Sequence, residues 1–235
     1  MDTKEQRLLQ AAQHKPRFLF RAASERSRGR NSAYLFDPLA TYGVDYHQDL
    51  AEIPWGEAAY MVMMHLLFQY QVPSEFCSWS VSLLWVLVHA ISKTRAHKGR
   101  KAECPTKILI YVLDTENIPD TRVHRSKDLI SIFDLGQIEH IEEYSRGEYL
   151  IHGRLQKIDG FKAVTLGKLI HGGLYVRYPG LKPDDEDYKV HIRSRKLLVE
   201  YSNQIWTLGQ LVTPNYRFLG RIWRKVGGCN DAGVR

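Results

Sequence analysis

Hydrophobic positions change their spacing along the chain, and the changes predict a mixture of helices and strands. Between residues 47 and 71, apolar side chains recur every three or four positions, as on one face of a helix, and Pro73 closes this segment. The sequence EFCSWS at 75–80 alternates with a period of two and predicts a strand. From Ser82 to Ser92 the chain is almost continuously apolar, which predicts a buried helix with Ser82 as its N-cap.

The remaining elements follow from the same criteria. The sequence KILIYVLDT at 107–115 is the clearest strand, and its unbroken apolar run predicts burial on both faces. The other predictions, in chain order, are a helix at 3–13, a β-like run at 17–22, a loop at 24–32, a short helix at 128–133, a strand at 147–155, a strand ending as a helix at 161–175 with glycines 172 and 173 as its stop, and one or two helices at 188–225. Because strands and helices do not alternate regularly, we expect an α+β fold.

Composition divides the chain into a main domain and a basic extension. Residues 16–180 carry most of the predicted strands, and the acidic, proline-containing sequence at 181–187 predicts a linker. Residues 188–235 predict a helical C-terminal extension, with Trp206 and Trp223 as its apolar anchors.

The chain is basic, and its charge is clustered. The formal net charge is +7, and residues 17–30 hold five arginines against one glutamate, while residues 93–107 hold six lysines and arginines against one glutamate. Such clusters permit an anionic partner such as nucleic acid, a phosphate-bearing cofactor or a membrane surface, although solvated loops have the same composition. Neither GxGxxG nor GxxxxGK[ST] occurs, so Rossmann and P-loop nucleotide binding have no support.

Cysteine usage and the N-terminal sequence predict an intracellular protein, cytoplasmic or nuclear. The three cysteines are odd in number and match no zinc-binding spacing, which favours a reducing compartment. The first residues are polar and contain no apolar core of a signal peptide. The apolar run at 81–91 is too short to cross a bilayer, so no membrane partner is expected.

Three short stretches carry candidate chemistry and occur in a fixed order. They are FLFRAAS with Arg21, FCSWSVS with Ser78 and Ser80, and GEYLIHG with Glu148. This order resembles the signature of mono-ADP-ribosyltransferases, most closely the cholera-toxin and heat-labile-enterotoxin group. The layout also resembles a group of uncharacterised fungal proteins with the same signature. The resemblance covers roughly residues 16–180.

The resemblance implies a fold, a substrate and a role for each residue. It implies two small, mostly antiparallel sheets that flank an NAD cleft, with peripheral helices and no metal. NAD would be the substrate, and Glu148 would bond the ribose 2′-hydroxyl and stabilise the positive charge that develops on the ribose. Ser78 would bond the Glu148 carboxylate, and Arg21 would contact the phosphates or the nearby ribose. Ser80 would join Arg21 and Ser78 in binding NAD.

Two positions depart from the pattern of this family, and two others are assigned to packing. Arg146 occupies the position of a second Glu or Gln in arginine-modifying members, so arginine is not the expected acceptor. Ala23 replaces the Asp of the Arg-Ala-Asp motif, which contributes to the adenosine side of the site. Trp79 and Tyr149 would point away from the face of Ser78 and Glu148 and pack in the core.

Three functions from different classes fit these residues. The first is transfer of ADP-ribose to a macromolecular acceptor, either protein or nucleic acid. The second is NAD hydrolysis on the same fold, and the third is a catalytically silent domain that binds protein or nucleic acid. A metal site is a weaker alternative, because its candidate ligands fit no common spacing and solvated charge explains them better. These candidate ligands are His140, Glu142, Glu143 and His152.

Overall fold

The computed structural model describes most of the predicted main domain. The described residues are 3–12, 15–32, 34–41, 48–69, 71–96, 101–139, 141–145, 147–156 and 161–183. The predicted helices at 188–225, with Trp206 and Trp223, lie outside the described residues, as does most of the predicted linker.

Helices and strands are mixed along the chain without regular alternation. The helices are α1 (Lys4–Ala12), α2 (Trp55–Leu66), α3 (Leu83–Lys93), α4 (Ser126–Ile132), α5 (Ile141–Tyr144), α6 (Leu166–His171) and α7 (Leu174–Arg177). The strands are β1 (Phe18–Ala23), β2 (Arg30–Asn31), β3 (Leu35–Asp37), β4 (Phe76–Ser80), β5 (Leu109–Asp114), β6 (Val123–Arg125), β7 (Glu148–His152), β8 (Leu155–Gln156) and β9 (Phe161–Thr165).

The strands form two small antiparallel sheets, which confirms the predicted α+β class. The larger sheet has six strands in the order β6-β7-β4-β1-β5-β9, and the smaller has three in the order β2-β3-β8. In the larger sheet, β1 pairs with β5 over six residues and β4 pairs with β7 over five. The strands that carry Glu148, Ser78 and Arg21 are therefore consecutive neighbours: β7, β4 and β1.

The alternation of side chains along β4 supplies residues to two separate buried clusters. Phe76 packs with Leu150 of β7 and with the apolar face of α2. Cys77 and Trp79 belong to the second cluster, with Tyr149 packed against its edge. The packing predicted for Trp79 and Tyr149 is therefore confirmed. Trp79 is only 2% exposed, so the strand is firmly anchored on this side.

Most long elements lie where the sequence predicts them. These are α1, β1, β4, α3, β5 and the β9–α6 unit. The predicted N-cap is confirmed, because the Ser82 hydroxyl accepts a hydrogen bond from the Trp85 backbone N–H at 3.2 Å.

Several boundaries differ from the prediction for local reasons. The helix predicted at 47–71 is shorter, because α2 begins after Pro54, and the chain at Phe68 takes a left-handed φ of 53°. The predicted loop at 24–32 ends in β2, and the short helix predicted at 128–133 begins earlier, at Ser126.

The strand predicted at 147–155 is divided at Gly153. This glycine has a φ of 76°, which favours glycine and interrupts extended backbone. The chain then leaves the larger sheet and continues as β8 in the smaller one.

The chain divides into two compact units. The first contains residues 1–87 and 108–163, and all the predicted site residues belong to it. The second contains residues 88–107 and 164–235, so the predicted main domain contributes to both. Among the described helices, none has the length and apolar character needed to cross a bilayer.

Candidate active site

The register of β4 and β7 places Glu148 beside the two serines. Glu148 is paired with Ser80, and Leu150 is paired with Ser78. Residues opposite one another in an antiparallel pair direct their side chains to the same face of the sheet, and so do residues two apart on one strand. Ser78 is therefore the diagonal neighbour of Glu148.

The Glu148 carboxyl is largely buried, and burial raises its pKa to about 7. The Ser78 hydroxyl, the positive charge of Arg21 and the Ser126 hydroxyl act in the opposite direction, because each favours the carboxylate. Burial outweighs these three together, so Glu148 titrates near neutral pH and not in the usual acidic range of a carboxyl. A carboxyl with a pKa this close to neutral is typical of functional sites.

Arg21 joins the site from β1. Its Nη1 donates a hydrogen bond to the Ser78 backbone oxygen at 2.5 Å, and its guanidinium lies 4.9 Å from the centroid of the Phe36 ring. The ladder between β1 and β4 is registered at one pair, Phe20 with Ser80, so it does not extend to Ser78. The Ser78 carbonyl is therefore available to Arg21, whose Nε is buried without a hydrogen-bond partner among the described residues.

A histidine on α2 completes the polar cluster. The His65 ring bridges two serines: Nε2 lies 2.9 Å from Ser78 Oγ, and Nδ1 lies 2.9 Å from Ser74 Oγ. Burial and the nearby positive charge of Arg21 lower the pKa of His65 to about 3. His65 is therefore neutral at physiological pH and offers one N–H donor and one nitrogen acceptor.

The other predicted binding residue, Ser80, lies at the end of β4. Its hydroxyl oxygen accepts a hydrogen bond from the Ser82 backbone N–H at 3.1 Å, in the turn that leads into α3. The hydroxyl proton of Ser80 is not used in that bond. Ser80 thus lies beside Glu148 by register and also shapes the turn.

Ser78 and Glu148 share one face of the larger sheet on the adjacent strands β4 and β7, and Arg21 lies on the next strand, β1. The pairing of Phe20 with Ser80 directs the Arg21 side chain to the other face, so Arg21 bonds the Ser78 backbone oxygen and not its hydroxyl. The prediction placed their cleft between two sheets. What the smaller sheet contributes is Phe36, on β3, which packs against the Arg21 guanidinium. Of the two departures noted in the sequence, Ala23 is buried in the core, and Arg146 lies outside the described residues.

Three polar contributors to the site were not found by sequence reasoning. The sequence places His65 on the periodic face of the helix predicted within 47–71, and it does not distinguish Ser74 or Ser126 from other serines. One signal was present for His65: it lies in register with the buried Ala58 and Val62, so it is a polar residue within an apolar stripe. Nothing in the sequence indicated Ser74 or Ser126, because their contacts depend on tertiary packing.

The alternative metal site does not form among the described residues. No group of three His, Cys, Asp or Glu side chains in that part of the chain could hold a metal ion. His152 is buried, and its Nε2 lies 3.1 Å from Glu75 Oε2. Glu142 is exposed, and His140 lies outside the described residues.

A cavity of about 290 Å³ lies elsewhere in the first unit and shares no residue with this site. It is lined by Glu5, Leu8, Leu9, Asp49, Ala51, Glu52 and Thr121. Because Glu148 lies near a serine hydroxyl and a guanidinium, while the carboxylates of this cavity have no arginine beside them in its lining, the chemistry points to the Glu148 site.

The fold and the site define an α+β protein with a carboxyl, a serine hydroxyl and a guanidinium on three adjacent strands. Comparison with protein families assigns the chain more closely. It belongs to the family described as a domain of unknown function, DUF7587, whose profile matches residues 14–158. That segment contains Arg21, His65, Ser78 and Glu148. A search of curated proteins found no match.

Proposed function

We propose that this protein is an NAD-dependent mono-ADP-ribosyltransferase that transfers ADP-ribose to a macromolecular acceptor other than arginine. The observation that carries the proposal is that Ser78 and Glu148 share one face of the larger sheet, with the positive charge of Arg21 on the neighbouring strand acting on the Glu148 carboxyl. These are the residues that the sequence resemblance assigns to NAD cleavage.

The proposed reaction breaks the bond between nicotinamide and C1′ of its ribose. The bonding electron pair leaves with nicotinamide, which becomes neutral, and positive charge develops on the ribose. The acceptor then forms a bond to C1′ and releases one proton to solvent. An ionised Glu148 beside the ribose would stabilise this transition state more than the ground state, because the positive charge moves onto the ribose as the bond breaks.

Each of the three side chains has a part that fits its environment. Glu148 begins a strand, so its backbone is held by the sheet, while the residue as a whole is only half-buried. The Ser78 hydroxyl favours the ionised carboxylate. Arg21 supplies a permanent positive charge, which suits a diphosphate ligand.

Exposed arginines near β2 favour an anionic acceptor. Arg26, Arg28 and Arg30 are all solvent-exposed. Nucleic acid would bind such side chains through salt-sensitive phosphate contacts. The nature of the acceptor is therefore tested with nuclease.

The test is nicotinamide release from labelled NAD, measured with purified protein and with cell lysate. We expect slow release by the wild-type protein and a loss of about 100-fold or more in Glu148→Gln, which keeps the size of the side chain but removes its charge. Glu57→Gln is the matched control, since Glu57 is exposed on α2 and its substitution should leave the rate unchanged.

The fate of the label decides between the classes of function. Label on protein, or on nuclease-sensitive material, supports the transferase and identifies the acceptor class. Free ADP-ribose alone indicates an NAD hydrolase. Release that is equal in the wild type and in Glu148→Gln contradicts the proposal and leaves a binding domain.

A further inference from the structure

The proposed reaction leaves one well-placed residue without a role. His65 projects from α2 to the hydroxyl of Ser78, which is the diagonal neighbour of Glu148 and favours its ionised form. Its other ring nitrogen reaches Ser74, and its ring lies edge-on to Phe76, with centroids 5.7 Å apart. Contacts on three sides fix the orientation of the imidazole.

The direction of these hydrogen bonds follows from counting protons. The Ser78 hydroxyl has one proton, which it donates either to Glu148 or to His65 Nε2. If the proton goes to an ionised Glu148, then His65 must donate to Ser78 Oγ through an Nε2–H. His65 Nδ1 is then the acceptor.

Ser74 supplies the donor that this arrangement requires. Its oxygen already accepts a hydrogen bond from the Phe76 backbone N–H at 3.1 Å, and its own proton is free to be donated to His65 Nδ1. The chain then runs in one direction, from Ser74 through His65 and Ser78 to the carboxylate of Glu148. Every proton in this chain has an acceptor.

We propose that His65 is a positioning residue that, as the Nε2–H tautomer, holds the Ser78 hydroxyl toward Glu148. The catalytic consequence of this inference rests on the proposed function. The hydrogen-bond chain itself does not involve NAD, so it is tested independently. The low pKa of His65 supports the assignment, because a protonated ring would need an acceptor at both nitrogens.

The first test reads the tautomer of His65 in the full-length wild-type protein. Histidine labelled with ¹⁵N is measured at pH 8, where Glu148 is mostly ionised, and the His65 signals are identified by their loss in His65→Gln. We expect the proton on Nε2. A proton on Nδ1 would overturn the proposal, and this measurement requires no variant other than the one used for assignment.

The second test uses a conservative rescue. The amide nitrogen of His65→Gln can occupy the place of Nε2 and keep a donor to Ser78, whereas His65→Leu has no donor. We expect His65→Leu to raise the pKa of Glu148, followed by ¹³C signals of labelled glutamate, by about one pH unit, which is a tenfold change in its acid dissociation constant. His65→Gln should restore most of this change.

Activity measurements then separate the two proposals. If NAD is cleaved, kcat should fall about tenfold in His65→Leu, with KM little changed, and recover in His65→Gln. If Glu148 has the same pKa in both variants as in the wild type, His65 does not position Ser78. If the pKa changes as expected but no protein form releases nicotinamide, the hydrogen-bond chain stands and the proposed reaction fails.

Discussion

At the scale of single residues, the main feature is a carboxyl that the fold holds partly neutral. Burial raises the pKa of Glu148 to about 7, although a serine and an arginine favour its ionised form. In the unfolded chain this pKa returns to its ordinary value near 4.5. Folding therefore opposes ionisation of Glu148, and the cost becomes larger as pH rises.

We expect Glu148→Gln to be more stable than the wild type at pH 8 but not at pH 5. Between pH 4.5 and 7 the native state binds more protons at this site than the unfolded state, so this contribution to stability falls across that window. The full difference corresponds to about 3 kcal/mol above pH 7 as an upper value. The measurement is urea unfolding of both proteins at the two pH values.

Two histidines act in the opposite direction, so the wild-type curve alone does not isolate Glu148. Burial lowers the pKa of His124 to about 4 and that of His65 to about 3. Their stabilising contributions are present above pH 6.5 and are lost as pH falls toward these values. The difference in stability between Glu148→Gln and the wild type cancels the contributions of both histidines. Glu57→Gln should run parallel to the wild type, and a pH-independent effect of Glu148→Gln would contradict the assigned cause.

At the scale of elements, β4 and the turn that leads into α3 carry three serines, Ser78, Ser80 and Ser82. The three serines between residues 78 and 82 have different roles. Ser78 lies beside Glu148, Ser80 shapes the turn after β4, and Ser82 caps the start of α3. On the opposite side of β4, the buried Trp79 keeps the strand from rotating.

We expect Ser82→Ala to lower the free energy of unfolding by about 1 kcal/mol, because the Trp85 N–H loses its acceptor. Ser82→Asp should retain most of the stability, since an aspartate at the N-cap accepts the same bond. Ser92→Ala, at an exposed position near the other end of α3, is the control and should change stability by less than about 0.5 kcal/mol. A Ser82→Ala variant that matches this control would show that the cap does not stabilise α3.

The elements also show what the sequence could predict and what it could not. Long periodic or apolar runs such as 82–92 and 107–115 reveal their structure, because many positions repeat the same signal. The strands β2, β3 and β6 have only two or three residues, too few for a period to be seen. They exist because a neighbouring strand offers hydrogen bonds, which is information that lies elsewhere in the chain.

The site divides in the same way. Arg21, Ser78 and Glu148 could be selected together from the order of their motifs, and the structure places them on neighbouring strands. The pairing register of β4 and β7 could not be predicted from these motifs. It matters because a shift of one residue would put Ser78 on the opposite face of the sheet. His65 depends on the packing of α2 against β4, which no local pattern specifies. The sequence therefore identified the strands that carry the site, but it did not identify the hydrogen bonds of His65 with Ser74 and Ser78.

At the scale of the whole molecule, the arrangement predicts that a ligand stabilises the fold through Arg21. A ligand that binds only the native state raises stability by about 2.7 kcal/mol at one hundred times its Kd, which corresponds to roughly 5–10 °C in Tm for a chain of this size. We expect NAD to produce such a shift in the wild-type protein, measured by thermal unfolding across a range of NAD concentrations.

Arg21→Lys is the informative variant for this shift, because it keeps the charge but loses the planar guanidinium that bonds Ser78 and packs on Phe36. Its own Tm should be lower than that of the wild type, since a buried hydrogen bond is lost, so the quantity compared is the change in Tm with NAD. We expect that change to be mostly abolished, while Arg28→Lys, on the exposed loop, retains it. An undiminished shift in Arg21→Lys would mean that NAD binds elsewhere, and no shift in the wild type at millimolar NAD would favour a domain that binds a different partner. The result therefore tests whether Arg21 helps to bind NAD at the larger sheet, and it requires no measurement of a catalytic rate.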